Sequence, residues 1–369
     1  MVTTEYPPYH GGIGRYSSEL AGAVARTGSP VTVIAPGSGP TGTASRDVTV
    51  DRYGSGDSFA SRDVVAIVRR VWRLSRAERP GVIHATDYRA ATAVRFARFA
   101  SRPARRARLV VTVHGTELKG AGRVKAAFQR WLLRPFILVA NSDYTAGLAV
   151  ERLGRVPDRV TPLGVQLADF EWTGTKEEAR RSLGVDEELT MVLCVARFEE
   201  RKAQDVLARS LASLTPEAAR RLCVVFVGGG PEDYVRHVAE TAALSEVDVR
   251  FLGKVPDEQL KACYGAADVF CLLGREHPSR AEGFGLVYLE AAANSLPAIA
   301  ASVDAIPEVV LDGVTGITVP SDDPAAVAAA LERMATQPGL RAGWGRQARE
   351  RAAGYTWEAT RRLTYEPVG

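Results

Sequence analysis

The fold class that this chain of 369 residues predicts is α/β, built as two successive domains, each a parallel sheet with helices on both faces. Three observations carry that expectation. Apolar runs of strand length alternate with amphipathic helical stretches along the chain. The alternation pauses at VTPLGVQLADFEW and then restarts, and the length exceeds what one core usually supports. With 46% hydrophobic residues the chain can bury large cores, and it shows no solenoid repeat or low-complexity tract.

The first domain opens on a short strand ending at Glu5, a rigid turn at Pro7-Pro8, and Gly11, Gly12 and Gly14 ahead of a helix from about Arg15 to Arg26. A glycine loop between strand and helix lets backbone amides approach a phosphate, with the helix terminus adding partial positive charge. GGIG does not fit the dinucleotide fingerprint, and no acidic residue ends the following strand VTVIAP. Residues 37–58 read as a loop with at most a short strand, VTVDRYG. Then come a basic helix over 63–79, the strand GVIHAT, a helix over 89–99, the strand LVVTVHGTEL, a helix over 123–133 and the strand FILVANS. Ligands of parallel sheets bind at the strands' carboxyl ends, where His84, Asp87, His114, Thr116, Asn141 and Ser142 fall.

In the second domain the strand TMVLCVARF leads to Glu199, Glu200, Arg201 and Lys202. The strands LCVVFVGGGP, VRFLGKV and VFCLLG follow, each separated by a helix, then EGFGLVYLE, LPAIAA, a turn at Ile306-Pro307-Glu308, GITV and terminal helices. EGFGLVYLE organises the rest. Gly283 and Gly285 permit tight backbone geometry, so the amides of Phe284, Gly285 and Leu286 form the unpaired N–H groups that begin a helix. Glu290 lies about one turn inside that apolar helix, where an ionised carboxylate needs donors. Those donors are either protein groups, as in a core Glu paired to an Arg, or sugar hydroxyls.

Charge is unevenly divided. Residues 1–160 carry 25 Lys and Arg against 12 Asp and Glu, a net of +13, whereas 161–369 carry 22 against 31, a net of −9. A basic half suits an anionic partner, although mutual steering of two domains accounts for the asymmetry equally well. The four cysteines lack paired metal-type spacing and read as core thiols of a reducing compartment. No apolar run spans a bilayer and no signal-type segment opens the chain, so the expected location is the cytoplasm.

Two nucleotide-binding-type domains, with a glycine loop in the first and Glu-x7-Glu in the second, resemble the GT-B glycosyltransferases, specifically the retaining enzymes of glycosyltransferase family 4. The likeness covers nearly the whole chain through PPYHGGIGRY, TVHGTE, ANS, ARFEERK, VGGGPE, FLGKVPDEQL, AEGFGLVYLEAAA, IPEVVLDGVTGITVP and the terminal YTW. It implies two Rossmann-like domains facing across a cleft. An N-terminal acceptor domain would span 1–167 and a donor domain 168–354, with a C-terminal helix over 355–369 crossing back.

The resemblance also assigns roles. Glu290 would hold the ribose hydroxyls of a nucleoside-diphosphate sugar, Glu282 the transferred sugar, and the amides of Phe284, Gly285 and Leu286 the sugar and diphosphate. Arg197 and Lys202 match the basic pair that clamps the diphosphate, as a bidentate guanidinium and a point-charge ammonium can. Alternatively they are surface charges beside Glu199 and Glu200. Gly11 and Gly12 match the loop that approaches the donor phosphate, and His114 matches a strand-end histidine on the donor sugar. Gly229, in the tight loop Gly228 to Pro231, and Val255, beside Lys254, would border the nucleotide. Acceptor contacts would come from Asp87, Tyr88, Arg89, Thr116 and Lys119.

The chemistry implied is sugar transfer with retention, without cofactor or protein nucleophile. No Asp-x-Asp occurs, so metal independence is expected, with Arg197, Lys202 and helix-end amides balancing the leaving diphosphate. A two-carboxylate glycosidase does not fit, because Glu290 would sit at the ribose. The acceptor would be a glycan, a sugar phosphate, a lipid-linked phosphate or a small molecule, and no nucleic acid is expected. Two departures stand out: Asp304-Ala305 where relatives often carry Gly-Gly, and Asn294-Ser295 where Cys-Gly often follows the helix. Trp72 with nearby arginines, and Phe128, Trp131, Leu132 and Phe136 with Arg123, Lys125, Arg130 and Arg134, would suit peripheral contact with an anionic membrane at its inner face, or simply two helices packed on the sheet. Rival readings are another GT-B enzyme, a sugar phosphorylase or nucleotide-sugar epimerase, and a catalytically inactive nucleotide-sugar-binding homologue.

Overall fold

A computed structural model describes residues 1–8, 11–37, 42–45, 47–54, 63–120 and 122–366. Tyr9 and His10 of the glycine-loop motif, parts of the 37–58 stretch, and the last three residues of the terminal segment lie outside these. The chain forms two compact units. The first comprises Met1–Gly164, Pro278–Gly283 and Tyr355–Gly369, and the second Val165–His277 and Phe284–Gly354. The strand pattern does not announce that Pro278–Gly283 belongs with the first unit.

Strands of the first unit are β1 (Val31–Pro36), β2 (Gly42–Ser45), β3 (Val48–Tyr53), β4 (Val82–Ala85), β5 (Arg108–Val113), β6 (Ile137–Ala140) and β7 (Arg159–Val160). They run in the orders β1-β3-β2 and β4-β5-β6-β7, parallel except for β2. Val2 bridges Ile34 of β1 and Ala85 of β4, both in parallel, so a strand of minimal length joins the two halves. Its neighbours' amides and carbonyls pair on both sides: Val2 N donates to His84 O at 2.8 Å and Thr3 N to Ile34 O at 3.0 Å. The short strand expected within 37–58 is β3, whose alternating Val48 and Val50 are buried beside β1, and the unexpected β2 pairs antiparallel with it.

Alternation along β5 and β1 sorts side chains to opposite faces. Leu109, Val111 and Val113 face a core shared with Ala90, Ala97, Leu132 and Leu133 of the covering helices. Val31, Val33 and Ala35 face the other, with Ala21 and Ala25. Each buried valine or leucine among them contributes ~1.5–3 kcal/mol, and each alanine less. The terminal helix Trp357–Tyr365 closes this second face: Thr360 Oγ1 donates to Pro162 O at 2.8 Å and Arg108 donates to Tyr365 O at 2.9 Å. A methyl group at Gly164 would overlap the Trp357 amide, so a glycine is needed where the helix crosses.

The second unit holds β8 (Thr190–Val195), β9 (Leu222–Val227), β10 (Asp248–Phe251), β11 (Val269–Leu272), β12 (Ala298–Ala301) and β13 (Gly316–Val319). All are parallel, in the order β10-β9-β8-β11-β12-β13. Because helices cover both faces, β9 is buried at every residue, which explains its unbroken apolar reading. The chain begins at the centre, winds outward through β9 and β10, then returns to the other side of β8. That is the doubly wound nucleotide-binding order, with its switch point between β8 and β11. Among the described residues no helix is long and apolar enough to cross a membrane.

Two expectations change in detail. The N-terminal helix begins at Gly12 rather than Arg15, with Gly11 as its cap, so the glycines form its first turn. The turn at Ile306 is one turn of helix, Ile306–Val309, with Pro307 in the first turn, where its missing N–H costs nothing. Of the three positions where relatives often carry glycine, Ala305 stays right-handed at φ −86°, whereas Ser295 and Asp304 adopt left-handed backbone, at φ 56° and 51°. A side chain there stores about 1 kcal/mol. Ser295→Gly should therefore raise the unfolding free energy by about 1 kcal/mol in urea titrations; an unchanged or lower midpoint would show the strain to be offset locally.

Candidate active site

In the second unit the candidate residues sit on the loops leaving adjacent strands at the switch point. After β8 the backbone stays extended long enough for Ala196 N to reach Val227 O at 3.0 Å and Phe198 N to reach Gly229 O at 2.9 Å. Arg197 projects outward, its side chain 68% exposed and 3.8 Å from Glu199, which Arg201 engages at 3.1 Å. Lys202 closes the turn Glu200–Lys202 and lies half-buried near the Cys194 thiol. Burial pushes that thiol up to about 12, and the Lys202 charge opposes the rise. Ala203, left-handed at φ 53°, hands the chain to the helix Gln204–Leu211.

The loops after β9 and β10 join them. Gly228 has φ 136°, and a methyl group on it would overlap the Ala196 carbonyl; one on Gly230 would overlap that of Phe198. Gly229 packs under the Lys254 side chain, next to half-buried Val255. The glycine run is thus required by backbone-on-backbone packing of two loops, whether or not a ligand is present.

After β11, Arg275 ties its loop to the β8 loop. Its amide donates to Arg201 O at 2.9 Å and its guanidinium to Glu200 O, Asp205 and Asp322, each at 2.9 Å. Burial works against its charge, but the two carboxylates outweigh it and hold the guanidinium protonated. The helix Leu286–Ala292 starts at Gly285, whose φ of 88° suits glycine. No side chain caps it, leaving the amides at Phe284 to Leu286 near the strand ends. The Phe284 ring is buried, and Tyr288 OH donates to Leu272 O at 2.6 Å, anchoring the helix to β11. Half-buried Glu290 accepts from Tyr264 OH at 3.2 Å, so a tyrosine, rather than an arginine alone, is among its donors.

In the first unit His114 follows β5. Its Nε2 donates to Thr86 O at 2.8 Å, Asn141 Nδ2 approaches Nδ1 at 3.4 Å, and the Tyr16 ring meets it edge-on at 5.2 Å. The His114 amide donates to Glu117 Oε1 at 2.7 Å. Burial raises the Glu117 carboxyl above the usual range, against the lowering effect of His114 and backbone donors. Gly115, at φ 93°, turns the chain so that Thr116 Oγ1 bonds both the carbonyl (3.2 Å) and the amide (3.1 Å) of Ala281. A methyl group on Gly283 would overlap His114 O. The unit therefore packs the His114 turn against the backbone on either side of Glu282.

Asp87 caps the helix Tyr88–Ala100 and is filled by four donors. Arg89 N (2.8 Å) and Ala90 N (2.9 Å) reach one oxygen, Thr4 N (3.0 Å) and Thr4 Oγ1 (2.9 Å) the other. That accounts for an aspartate after β4 without a ligand. Tyr88 is half-buried at the first turn, and Lys119 Nζ lies 5.7 Å from the Tyr144 ring centroid. The N-terminal helix has no side-chain cap on Gly11 and no acidic residue in its first turn, so its first amides, from Gly12 onward, suit an anion.

Comparison with known proteins agrees with this layout. The family model described as Glycosyltransferase Family 4 matches residues 10–169, and that described as Glycosyl transferases group 1 matches 175–351. Between them they take in most of the chain. The chain belongs to this glycosyltransferase family. Relatives include the D-inositol 3-phosphate glycosyltransferase of Kribbella flavida, 38% identical over 237 residues, 62% of this chain and 54% of that protein. The same-named protein of Thermobifida fusca is 35% identical over 60% of this chain and 52% of its own length. The chain thus spans about half the length of the curated relatives it matches. Among solved structures, HepE of Anabaena in complex with UDP and glucose aligns with a TM-score of 0.78 at 20% identity over 98% of this chain and 96% of that one. The sucrose-phosphate synthase of Thermosynechococcus elongatus aligns at 0.80 and 22%, over 98% and 95%. The fold is that of the GT-B glycosyltransferases, two units with parallel sheets.

Within this family 4 chain, three residues escaped the sequence reading. Arg275 and Glu117 act through backbone partners that are distant in sequence or invisible in side-chain pattern. His84 was placed at a strand end but given no role. It sits in a buried chain of hydrogen bonds from Tyr16 OH through Thr112 (2.8 Å) and His84 (2.9 Å) to Tyr365 OH (2.6 Å), tying the terminal helix to the sheet. Gly228→Ala should destabilise the protein by about 3 kcal/mol in thermal or urea unfolding, through overlap and backbone strain together.

Burial lowers the His84 imidazole from 6.5 to about 3. As pH falls, the unfolded chain takes up that proton first, so the stability this neutral imidazole allows is full above 6.5 and is lost as pH drops toward about 3. His84→Gln should flatten the decline in unfolding free energy below pH 6.5 by up to ~1.4 kcal/mol per pH unit. Parallel slopes for parent and variant in urea titrations would refute the assignment.

Proposed function

We propose that the chain moves a sugar from a nucleoside-diphosphate sugar to an acceptor hydroxyl, with retention of anomeric configuration and without a metal. The observation that carries this is the strand order β10-β9-β8-β11-β12-β13 of the second unit, in which the loop after β8, with Arg197 and Lys202, and the chain after β11, leading to the helix Leu286–Ala292 and Glu290, leave adjacent strands at the switch point. Arg197, Lys202 and the amides of Phe284 to Leu286 bind the diphosphate, and Glu290 binds the ribose hydroxyls. His114 and Glu282 hold the transferred sugar. The acceptor hydroxyl attacks the anomeric carbon on the leaving-group face, the bond to the diphosphate oxygen breaks, and that phosphate takes the hydroxyl proton. Cations and fixed amides stabilise the departing charge without reorganising.

UDP-sugars are the donors to try first, because the similar HepE structure holds UDP and glucose. A phosphate-bearing acceptor is favoured by the relatives named for D-inositol 3-phosphate and by the net +13 of residues 1–160.

The test follows nucleotide release from UDP, GDP, ADP and TDP sugars with inositol phosphate, sugar phosphate and lipid-linked acceptors. Glycoside formed with the donor's anomeric configuration, at a rate untouched by EDTA, is the expected result. Formation of a sugar 1-phosphate from inorganic phosphate, or epimerised donor, would point to the phosphorylase or epimerase alternatives. Lys202→Ala and Glu290→Ala should raise the donor Kd by about 10- to 100-fold, since hydrogen bonds to charged groups contribute ~1.5–3 kcal/mol. His114→Ala should lower kcat by about 100-fold with a smaller change in Kd. Three variants as active as the parent would overturn the residue roles.

A further inference from the structure

Two helices of the first unit carry four aromatic side chains outward, while Tyr88 packs on the core. On Tyr88–Ala100, Phe96 is 43% and Phe99 58% exposed; on Arg123–Leu133, Val124 is 85% exposed and Phe128 and Trp131 are each 44% exposed. The two faces are continuous. The Arg95 guanidinium lies 4.9 Å from the ring centroids of both Phe99 and Trp131, and Phe128 and Trp131 are 5.7 Å apart. Arg95 Nε has no hydrogen-bond partner.

The same stretch is nearly devoid of counter-charge. Residues 88–136 hold twelve Lys and Arg and a single acidic residue, Glu117, which is committed to the His114 amide. At the end of the second helix, Arg130 and Arg134 line a small cavity with Leu133, Leu153 and Arg155, the last of which is paired with Asp158 at 2.5 Å. The neighbouring helix Asp63–Glu78 differs: Arg70 and Arg73 are both paired with Asp51.

We propose that this aromatic and arginine face of the helices Tyr88–Ala100 and Arg123–Leu133 docks on an anionic lipid bilayer. Rings that stand out of a helix face insert at the boundary of headgroups and acyl chains, while arginines beside them neutralise lipid phosphates and keep their stems in apolar contact. A second copy of the chain is a poor occupant, because a self-complementary interface would set this cation-rich face against itself. The inference does not depend on the reaction proposed above.

The full chain is sedimented with vesicles of phosphatidylcholine alone or with about one-third phosphatidylglycerol. Binding to the anionic vesicles, weak binding to the neutral ones, and release between about 0.05 and 0.5 M salt are expected. Phe99→Gln with Trp131→Gln should cut the partition coefficient at least about tenfold, and so should Arg130→Glu with Arg134→Glu. Either pair suffices if the other folds poorly. Equal binding to both vesicle types, no binding at low salt, folded variants that bind like the parent, or a dimer in sedimentation equilibrium that the variants abolish would each overturn the proposal.

Discussion

The second unit depends on one constraint of parallel sheets: a strand that starts at the centre must send its successors to both sides. β8 is that strand, flanked by β9 and β11. Loops leaving β8 and β11 depart toward opposite faces, opening a crevice between the two strand ends. The chain fills that gap with tight packing and charge. Gly228 and Gly230 let the β9 loop lie directly on the carbonyls of the β8 loop, and Arg275 ties the β11 loop to the same segment. Arg197 remains exposed, where positive charge is cheapest to keep and most useful to an anion, and no side chain caps the helix Leu286–Ala292.

The first unit solves the same problem with fewer residues. Its central position is held by the ladder around Val2, which pairs in parallel with β1 and β4. Buried polar links surround that ladder. Thr3, Ser17 and Thr86 form one hydroxyl cluster, with Thr3 Oγ1 and Ser17 Oγ 2.8 Å apart and Ser17 Oγ donating to Thr86 Oγ1 at 2.9 Å. Tyr16, Thr112, His84 and Tyr365 form another. Satisfied networks of this kind fix one arrangement, because leaving any member unpaired in a dry interior is costly. Both lead toward His114, whose imidazole bonds Thr86 O and meets the Tyr16 ring.

Family membership and fold were legible because they rest on local strings. The glycine run, the basic pair and Glu-x7-Glu each occupy a few consecutive residues, and alternation of apolar runs with amphipathic helices is a property of neighbours. β2 was missed because its few residues are turn-forming types, and its pairing with β3 is a tertiary choice. The start of the first helix was misplaced because glycines at its first turn carry no propensity signal. Asp87, a candidate by position, proved to hold four donors that no linear pattern reveals.

Sequence alone determined which residue types this protein can bring to a phosphate or a sugar, since charge, hydroxyl content and glycine freedom are properties of single residues and short windows. Tertiary structure decided which of them meet. Only the winding order puts Lys202 and Glu290 on adjacent strand ends, and only the grouping of Pro278–Gly283 with the first unit sets Glu282 beside the His114 turn. The physical reason is that hydrogen bonds between strands and methyl-scale steric fit act between segments up to hundreds of residues apart. No local window contains both partners.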